Sequence, residues 1–273
     1  MSLKNNKQEY LHGFSDKEQK RLIFQAKFLE EHTYENIDFS QCKRVLEVGC
    51  GVGAQTLILR KRFPNTRLVS IDSSPRQIET ARHLLKKEIN RGDVILEVQD
   101  AQEMHLPDKS FDGAFLCWFL EHVPKPQRVL KEVRRLLKRG SVIYCTEVQN
   151  ASLFVEPYSP AIIEYWFRYN DVQWNMKGHP FVGAQLGHLL SETGFKNVDL
   201  KVRPFLFDSR QPRKRAQFIK YWTKLMLSGA PALLKSGNVD FKLVNKMKKE
   251  LDRLRRSKDS IFYYSYFQAR AES

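Results

Sequence analysis

A run of glycines preceded by an acidic residue is the part of this sequence best suited to bind a ligand. The segment Lys43–Thr56 reads Lys-Arg-Val-Leu-Glu-Val-Gly-Cys-Gly-Val-Gly-Ala-Gln-Thr. Three glycines alternate in it: Gly49, Gly51 and Gly53. The pattern of Arg44–Val48 is typical of a buried parallel strand, and residues 55–63 are predicted as a helix. Such a strand-to-helix turn lets backbone approach a ligand closely and points free N–H groups at an anion.

A second acidic residue ends the next predicted strand. Arg67–Ile71 is followed by Asp72, about 20 residues beyond the glycine turn. Ser74 and Pro75 supply the N-cap and the first position of the next helix, so Asp72 is not needed as a cap. A carboxylate at this point can accept two hydrogen bonds from a ribose diol. We therefore expect Asp72 to bind the ribose of a nucleoside cofactor.

Further motifs follow at separate places: Asp100-Ala101, Leu106-Pro107, Phe111-Asp112 and Leu120-Glu121-His122-Val123. With the glycine turn, this set resembles the class I S-adenosylmethionine (SAM) methyltransferases. It is similar in particular to the methyltransferase type 11 group, the relatives of the ubiquinone and menaquinone methyltransferases, over residues 45–148. One departure is Lys138-Arg139-Gly140-Ser141 where the family has Lys-Pro-Gly-Gly. The resemblance implies an α/β, Rossmann-like sheet of order 3-2-1-4-5-7-6 with an antiparallel last strand, and SAM as the cofactor.

The resemblance also implies individual contacts with SAM. The glycine turn would pass under the methionine part, and Glu47 would help to hold its amino group through water. Asp72 would bind the ribose hydroxyls, and Ser73 and Gln77 would flank the adenine, although Gln77 has an alternative role in a capping box with Ser74.

The other implied contacts come from later strands and from the amino terminus. Asp100 would accept from the adenine amino group, the Ala101 N–H would reach a ring nitrogen, and Cys117 and Trp118 would offer backbone to the methionine end. The predicted cofactor set is Tyr10, Glu47, Gly49, Gly51, Gly53, Asp72, Ser73, Gln77, Asp100, Ala101, Cys117 and Trp118.

Two kinds of segment surround this core. Residues 1–40 are predicted as a helical lid in which Tyr10 or His12 touches SAM; simple packing on the sheet is the alternative. Residues 41–273 form the SAM-binding domain, with helical cap insertions at about 149–182 and 204–258. The aromatic residues of the first insertion, Trp166 and Trp174 among them, would line an apolar acceptor pocket or form the core of the cap.

The chemistry of methyl transfer needs chiefly alignment and exclusion of water, because a sulfonium already activates the methyl group. A hydroxyl nucleophile usually needs a base in addition. His122 is the preferred candidate, since imidazole titrates near neutrality and follows the fourth strand. The alternative is a histidine that caps or orients the next helix. Glu147 and His179 are weaker candidates for the base.

The composition of the chain limits the other classes of function that the protein could have. The net charge is +15, and most of the excess of Lys and Arg over Asp and Glu lies from Lys201 onward. This excess fits a solvated helix face. It fits less well a surface for nucleic acid, acidic lipid or an anionic substrate. The four cysteines have neither disulfide nor zinc-ligand spacing, and no metal site is predicted. No apolar run reaches the length of a membrane span, and the amino terminus is not typical of a signal peptide, so we expect a cytoplasmic protein.

The function predicted from the sequence is transfer of a methyl group from SAM to a small molecule, with the acceptor atom (O, N, S or C) open. The alternatives are a nucleic-acid methyltransferase that uses the basic last quarter, an NAD-dependent oxidoreductase with the same glycine turn, and a SAM-binding protein without turnover. The oligomeric state is not predicted.

Overall fold

The fold is an α/β sheet with helices on both faces, seen in a computed structural model that describes residues 10–273. The strands are β1 Arg44–Val48, β2 Arg67–Asp72, β3 Val94–Val98, β4 Phe111–Cys117, β5 Leu137–Val148, β6 Phe154–Glu156, β7 Lys196–Phe207 and β8 Ile261–Glu272. The helices are α1 Asp16–Phe28, α2 Glu30–Tyr34, α3 Ala54–Arg62, α4 Pro75–Leu84, α5 Lys86–Asn90, α6 Pro126–Leu136, α7 Pro160–Asn175, α8 Leu186–Glu192, α9 Pro212–Lys235 and α10 Phe241–Arg256. The first nine residues of the predicted lid lie outside the described residues.

The sheet has the predicted order. Its strands follow one another as β3-β2-β1-β4-β5-β8, with β7 on the far side of β8. The pairs from β3 to β5 are parallel, whereas β8 runs antiparallel to both β5 and β7. With the short β6 set aside, this is the order 3-2-1-4-5-7-6 with an antiparallel last strand, which confirms the predicted fold class. Because β1 to β5 are parallel, their carboxyl ends meet at one edge of the sheet, where open α/β sheets bind ligands.

Strands β7 and β8 are 12 residues long each and carry a second layer of structure. β8 pairs with β5 only from Tyr266 onward, while its first residues pair with β6 and with the end of β7. This extension reaches past the carboxyl end of β5. Helices α7, α9 and α10 pack on it around a third apolar core, here called the cap core. This core is separate from the two cores on the faces of the sheet.

β5 begins at Leu137, and Gly140 within it lies in the left-handed region at φ 77°.

The start of α4 agrees only in part with the sequence prediction. Ser74 caps α4 as predicted, since its side chain accepts from the Gln77 N–H. Gln77 does not return the bond, because Asp72 Oδ1 already accepts from the Ser74 N–H at 2.8 Å. The Gln77 side chain accepts instead from Gln19 Nε2 at 3.2 Å.

The cap core should contribute strongly to stability. Met247 on the inner face of α10 is fully buried, while Lys246 beside it is exposed. We expect Met247→Ala to lower the free energy of unfolding by about 2–5 kcal/mol, because it removes transfer energy and leaves a cavity. Lys246→Ala, the matched control, should change it by less than about 0.5 kcal/mol. Urea unfolding of both variants measures the difference; equal effects would show that α10 is not packed as described.

Candidate active site

The glycine turn requires glycine for more than one reason. Gly49, Gly51 and Gly53 all have positive φ, at 76°, 53° and 78°. A Cβ at Gly49 would lie 2.1 Å from the Phe119 ring, and one at Gly53 would lie 2.7 Å from Leu85 Cδ1. At Gly51 the space is open, with the nearest atom 3.9 Å away. The middle glycine is therefore where the backbone is free for a ligand to approach, while the outer two also allow close packing.

Asp72 joins the glycine turn to the start of α4. Its Oδ2 accepts from the Gly51 N–H at 2.9 Å, and its Oδ1 accepts from the Ser74 N–H. Burial raises the pKa of Asp72, and these two backbone bonds act against that rise. Each carboxylate oxygen has a second lone pair, so Asp72 can still accept hydroxyl groups from a ligand.

Glu47 lies beneath the turn instead of on a cavity wall. Its Oε2 accepts from Thr56 Oγ1 at 2.6 Å and from Ser70 Oγ at 2.7 Å. These bonds tie β1 to β2 and α3. Burial raises the pKa of Glu47 to about 7, against the effect of the two hydroxyl groups. Glu47 therefore supports the turn, and no direct path from its carboxylate to the cavity is evident.

A long cavity follows the carboxyl ends of β1, β2 and β4. One part, of about 160 Å³, lies against the glycine turn and Trp118; an adjoining part, of about 720 Å³, lies against Asp100 and Ala101. Gly49, Asp72 and Ser73 line both parts. Of the predicted cofactor residues, those on its walls are Tyr10, Gly49, Gly51, Asp72, Ser73, Gln77, Asp100, Ala101, Cys117 and Trp118. Glu47 and Gly53 are the two that do not line it.

Some wall residues were not predicted. Phe14, Gln25, Gln55 and Phe119 also line the part next to the glycine turn. The aromatic character of Tyr10-Leu11-His12-Gly13-Phe14 was the available signal for Phe14. Gln25 and Gln55 carry no such signal, because only the packing of α1 over α3 brings them to the wall.

A second cavity, here called the inner cavity, adjoins the long cavity, here called the cofactor cavity. The inner cavity lies beneath the cap and has a volume of about 80 Å³. The two share the wall residues Tyr10, Leu22, Gln25, Trp118 and His122. His12 lines the inner cavity rather than the cofactor cavity, and so do Trp166, Tyr169 and Trp222. The aromatic residues of the cap thus both line a pocket and belong to the cap core.

His122 lies at the junction of the two cavities. Its Nε2 is 3.7 Å from Glu121 Oε1, and its ring meets the Tyr10 ring edge-on at 4.9 Å between centroids. The Glu121 carboxylate also accepts from Gln173 Nε2 at 2.7 Å. His122 belongs to a single helical turn, Leu120–His122, between β4 and α6. This placement lets the imidazole reach both a cofactor and a second bound molecule.

The structure does not support a catalytic role for Glu147. Its Oε1 accepts from the N–H groups of Phe119 and Leu120 at 3.1 and 2.7 Å, and its Oε2 from that of Glu121 at 3.4 Å. The residue is fully buried and lines neither cavity. Burial raises the pKa of Glu147 to about 8, opposed by these backbone donors. Its carboxylate fixes the turn that carries His122.

The other candidate for the base, His179, lines neither the long cavity nor the inner cavity. Its ring contacts Trp174 at 5.2 Å between centroids and lines an outer hollow with Phe181. All four cysteines are buried and unpaired. Between residues 10 and 273, no group of three or more His, Cys, Asp or Glu is placed to hold a metal ion. Over the same range, no helix is long and apolar enough to cross a membrane.

Comparison with known proteins assigns this domain. A family model described as a methyltransferase domain matches residues 46–145, which include the glycine turn, Asp72, Asp100 and His122. Residues 46–145 of this chain therefore form a methyltransferase domain. Its sequence relatives include a demethylmenaquinone methyltransferase of Symbiobacterium thermophilum, 26% identical over 58% of this chain and 70% of that enzyme.

Other relatives share mainly the methyltransferase domain. The 2-methyl-6-phytyl-1,4-hydroquinone methyltransferase 2 of Oryza sativa is 38% identical over 38% of this chain. The match covers only 29% of the rice enzyme and about half, 55%, of O-methyltransferase cnsE of Penicillium expansum.

Solved structures show the same fold beyond the domain. A phosphoethanolamine N-methyltransferase of Haemonchus contortus, in complex with SAM, is 15% identical with a TM-score of 0.60 and covers 98% of this chain and 58% of its own. The [4+2]-cyclase SpnF is 20% identical with a TM-score of 0.54 and covers 91% of this chain and 80% of its own. The methyltransferase fold therefore extends over the cap region, but the fold alone does not specify the reaction.

The buried Glu47 should make stability depend on pH. Its pKa in the folded protein, about 7, lies above the ordinary 4.5. Its contribution is thus fully present below pH 4.5 and is lost as the pH rises through about 7. We expect the wild type to lose up to about 3 kcal/mol more unfolding free energy between pH 4.5 and 8 than Glu47→Gln, which cannot ionise.

Urea unfolding at several pH values measures this difference. The control is Glu31→Gln, a change at an exposed glutamate, which should follow the wild-type profile. Parallel profiles for wild type and Glu47→Gln would contradict the assignment of a raised pKa to Glu47.

Proposed function

We propose that this protein is a SAM-dependent methyltransferase that acts on a small-molecule acceptor. One observation carries the proposal: the cavity along the carboxyl ends of the strands adjoins the inner cavity, and His122 and Trp118 line both. A cofactor in the first cavity would present its reactive end to a molecule in the second. This juxtaposition is what direct transfer between two bound molecules requires.

The residues present fit SAM. The open backbone at Gly51 and the N-terminus of α3 suit the polar methionine end, and Asp72 has lone pairs for the ribose hydroxyls. Asp100 and Ala101 line the larger part of the cavity, where the adenine would lie. When bound, SAM supplies an activated methyl group on a sulfonium. The NAD-dependent alternative gains no comparable support, because the antiparallel β8 belongs to the methyltransferase sheet.

The protein's own residues would orient the acceptor, exclude water and accept a proton. Tyr10 and Phe14 close the cofactor cavity from the amino-terminal side, and Tyr10 also lines the inner cavity. For a hydroxyl acceptor, the imidazole of His122 would accept the proton of the hydroxyl group and afterwards return it to water.

The acceptor itself is not settled by the relatives. Their names include a hydroquinone methyltransferase and a sterol 24-C-methyltransferase of Neurospora crassa, which differ in acceptor atom and shape. The nucleic-acid alternative depends only on charge, such as the basic outward face of α10. A cytoplasmic location stays a prediction from the sequence.

Binding of the cofactor product tests the proposal directly. We expect S-adenosylhomocysteine to bind in calorimetry, and Asp72→Asn to weaken it by at least about 10-fold, because a charged acceptor of ribose hydroxyls is lost. Asp199→Asn, at an exposed position on β7, is the control and should bind as the wild type does. NAD should give no heat. Failure of the wild type to bind S-adenosylhomocysteine would refute the proposal.

The role of His122 is tested by turnover. We expect His122→Asn to lower kcat by about 10²- to 10⁴-fold for a hydroxyl acceptor, because general base catalysis is removed. Gln185→Asn, in the single turn before α8, changes a polar residue outside both cavities and should keep the wild-type rate. An unchanged kcat in His122→Asn would contradict the role of His122 as the base.

A further inference from the structure

We propose that the inner cavity binds an oxygenated aromatic ring, such as a phenol, whose oxygen atoms accept hydrogen bonds from the indole N–H groups of Trp118 and Trp222. This inference rests on the proposed function, because it names the acceptor class of the same site.

The first ground is the two unpaired donors. Of the polar side-chain atoms that are buried without a partner within residues 10–273, only two belong to residues of the inner cavity wall: Trp118 Nε1 and Trp222 Nε1. Trp222 is 3% exposed, so water does not reach its indole freely. Leaving a buried N–H without an acceptor is costly. A ligand that supplies acceptor atoms removes that cost, whereas a ligand that supplies only donors does not.

Three other polar groups of the wall are already engaged. Trp166 Nε1 donates to the Asn150 carbonyl at 2.7 Å, and the Tyr264 hydroxyl donates to Asn150 Oδ1 at 2.9 Å. The Tyr169 hydroxyl pairs with His12 Nε2 at 2.9 Å. The buried polar atoms left without a partner in the described part of the wall are therefore both donors, which acceptor atoms on a ligand would satisfy.

Charged ligands fit less well. The Arg21 guanidinium is held by both oxygens of Glu18, at 2.6 and 2.7 Å, and its Nη1 donates to Gln25. It is thus already neutralised and offers little to an anionic acceptor. An ammonium group has N–H donors and no lone pair, so it would leave both indole N–H groups without an acceptor.

The walls suit a flat ring. The Trp222 ring lies 5.2 Å from that of Trp166 and 4.6 Å from that of Tyr264, at tilted angles, and Phe205 and Tyr221 complete the aromatic lining. Offset and edge-on arrangements at these separations are the favoured ones between aromatic rings. The volume of about 80 Å³ is several times the ~10–15 Å³ that one water needs, so the cavity has room for more than a single water molecule.

Trp118 has a strained backbone conformation of a kind that is common at functional sites. Its φ is 54°, in the region that non-glycine residues rarely adopt, and its N–H donates to the Thr146 carbonyl at 2.9 Å. Such backbone strain persists only where the surroundings enforce it, and it concentrates at functional sites. Trp118 follows β4 directly and lines both cavities, so its indole N–H is close to the place where the methyl group would be transferred.

Three ligands of equal shape test the inference: phenol, aniline and toluene. Each is titrated into the protein saturated with S-adenosylhomocysteine, and the Kd is measured by calorimetry. We expect phenol to bind about 5-fold or more tightly than aniline or toluene, the size of one net hydrogen bond. Trp222→Phe keeps a ring but removes the N–H. It should weaken phenol about 5-fold while leaving toluene within 2-fold and S-adenosylhomocysteine unchanged.

Two further variants complete the experiment. Trp118→Phe should give the same selective loss for phenol, which keeps the test informative if Trp222→Phe does not fold. Trp174→Phe is the matched control, since this tryptophan is 54% exposed and lines only the outer hollow; it should bind all three ligands as the wild type does.

The outcomes separate this inference from the proposed function. Equal affinities for the three ligands, preference for aniline, or equal loss of phenol and toluene in Trp222→Phe would overturn it, while S-adenosylhomocysteine binding would leave the proposed function standing. If the wild type does not bind S-adenosylhomocysteine, the proposed function itself fails.

Discussion

Two carboxylates on neighbouring parallel strands hold the site in shape. Glu47 near the end of β1 ties Thr56 and Ser70 together below the glycine turn, and Asp72 at the end of β2 holds the Gly51 N–H from the side. A turn with three residues at positive φ has no regular ladder of its own, so its N–H groups need fixed partners. Asp72 supplies that partner for Gly51, and the Ile71 carbonyl supplies it for Gly49 and Cys50, while the open side of Gly51 faces the cavity. Because the turn is fixed before a ligand arrives, binding costs less conformational entropy.

The second condition for the site is the length of β7 and β8. Had these strands ended with β5, the cap helices would have had no sheet to pack on, and Trp166 and Trp222 would lie in solvent. The extension instead buries Phe205, Phe262 and Tyr264 beneath α9 and α7. The inner cavity therefore lies where the core on the sheet meets the core of the cap. Its position beside the cofactor cavity follows from the antiparallel insertion of β8 next to β5.

The sequence predicted what depends on near neighbours in the chain. The strand–glycine–helix turn, the Ser74 cap and the position of Asp72 are local patterns, and the structure has them as expected. The strand order, confirmed here, came from resemblance rather than from periodicity. The surroundings of Glu147, a weaker candidate for the base, could not be predicted from the sequence: its partners are backbone N–H groups of residues 119–121, brought to it only by pairing of β4 with β5. The contacts of Gln77 were likewise decided by Asp72 and Gln19, which its own sequence context does not show.

The amino-terminal segment links the two cavities in a way that no single strand does. Ser228 Oγ donates to the Leu225 carbonyl, so it must accept from His12 Nδ1, and His12 Nε2 is left to accept from the Tyr169 hydroxyl. These bonds join the segment to α9 and α7 at once. Tyr10, two residues earlier, lines the cofactor cavity and packs against His122. Burial, with Arg21 and His122 nearby, holds the pKa of His12 well below its usual range, so the ring is neutral and the pattern of donors is fixed. If this segment moves to admit the cofactor, the bonds of His12 to Ser228 and Tyr169 in the wall of the inner cavity must break as well. Binding in the cofactor cavity and binding in the inner cavity are therefore coupled through one short stretch of chain.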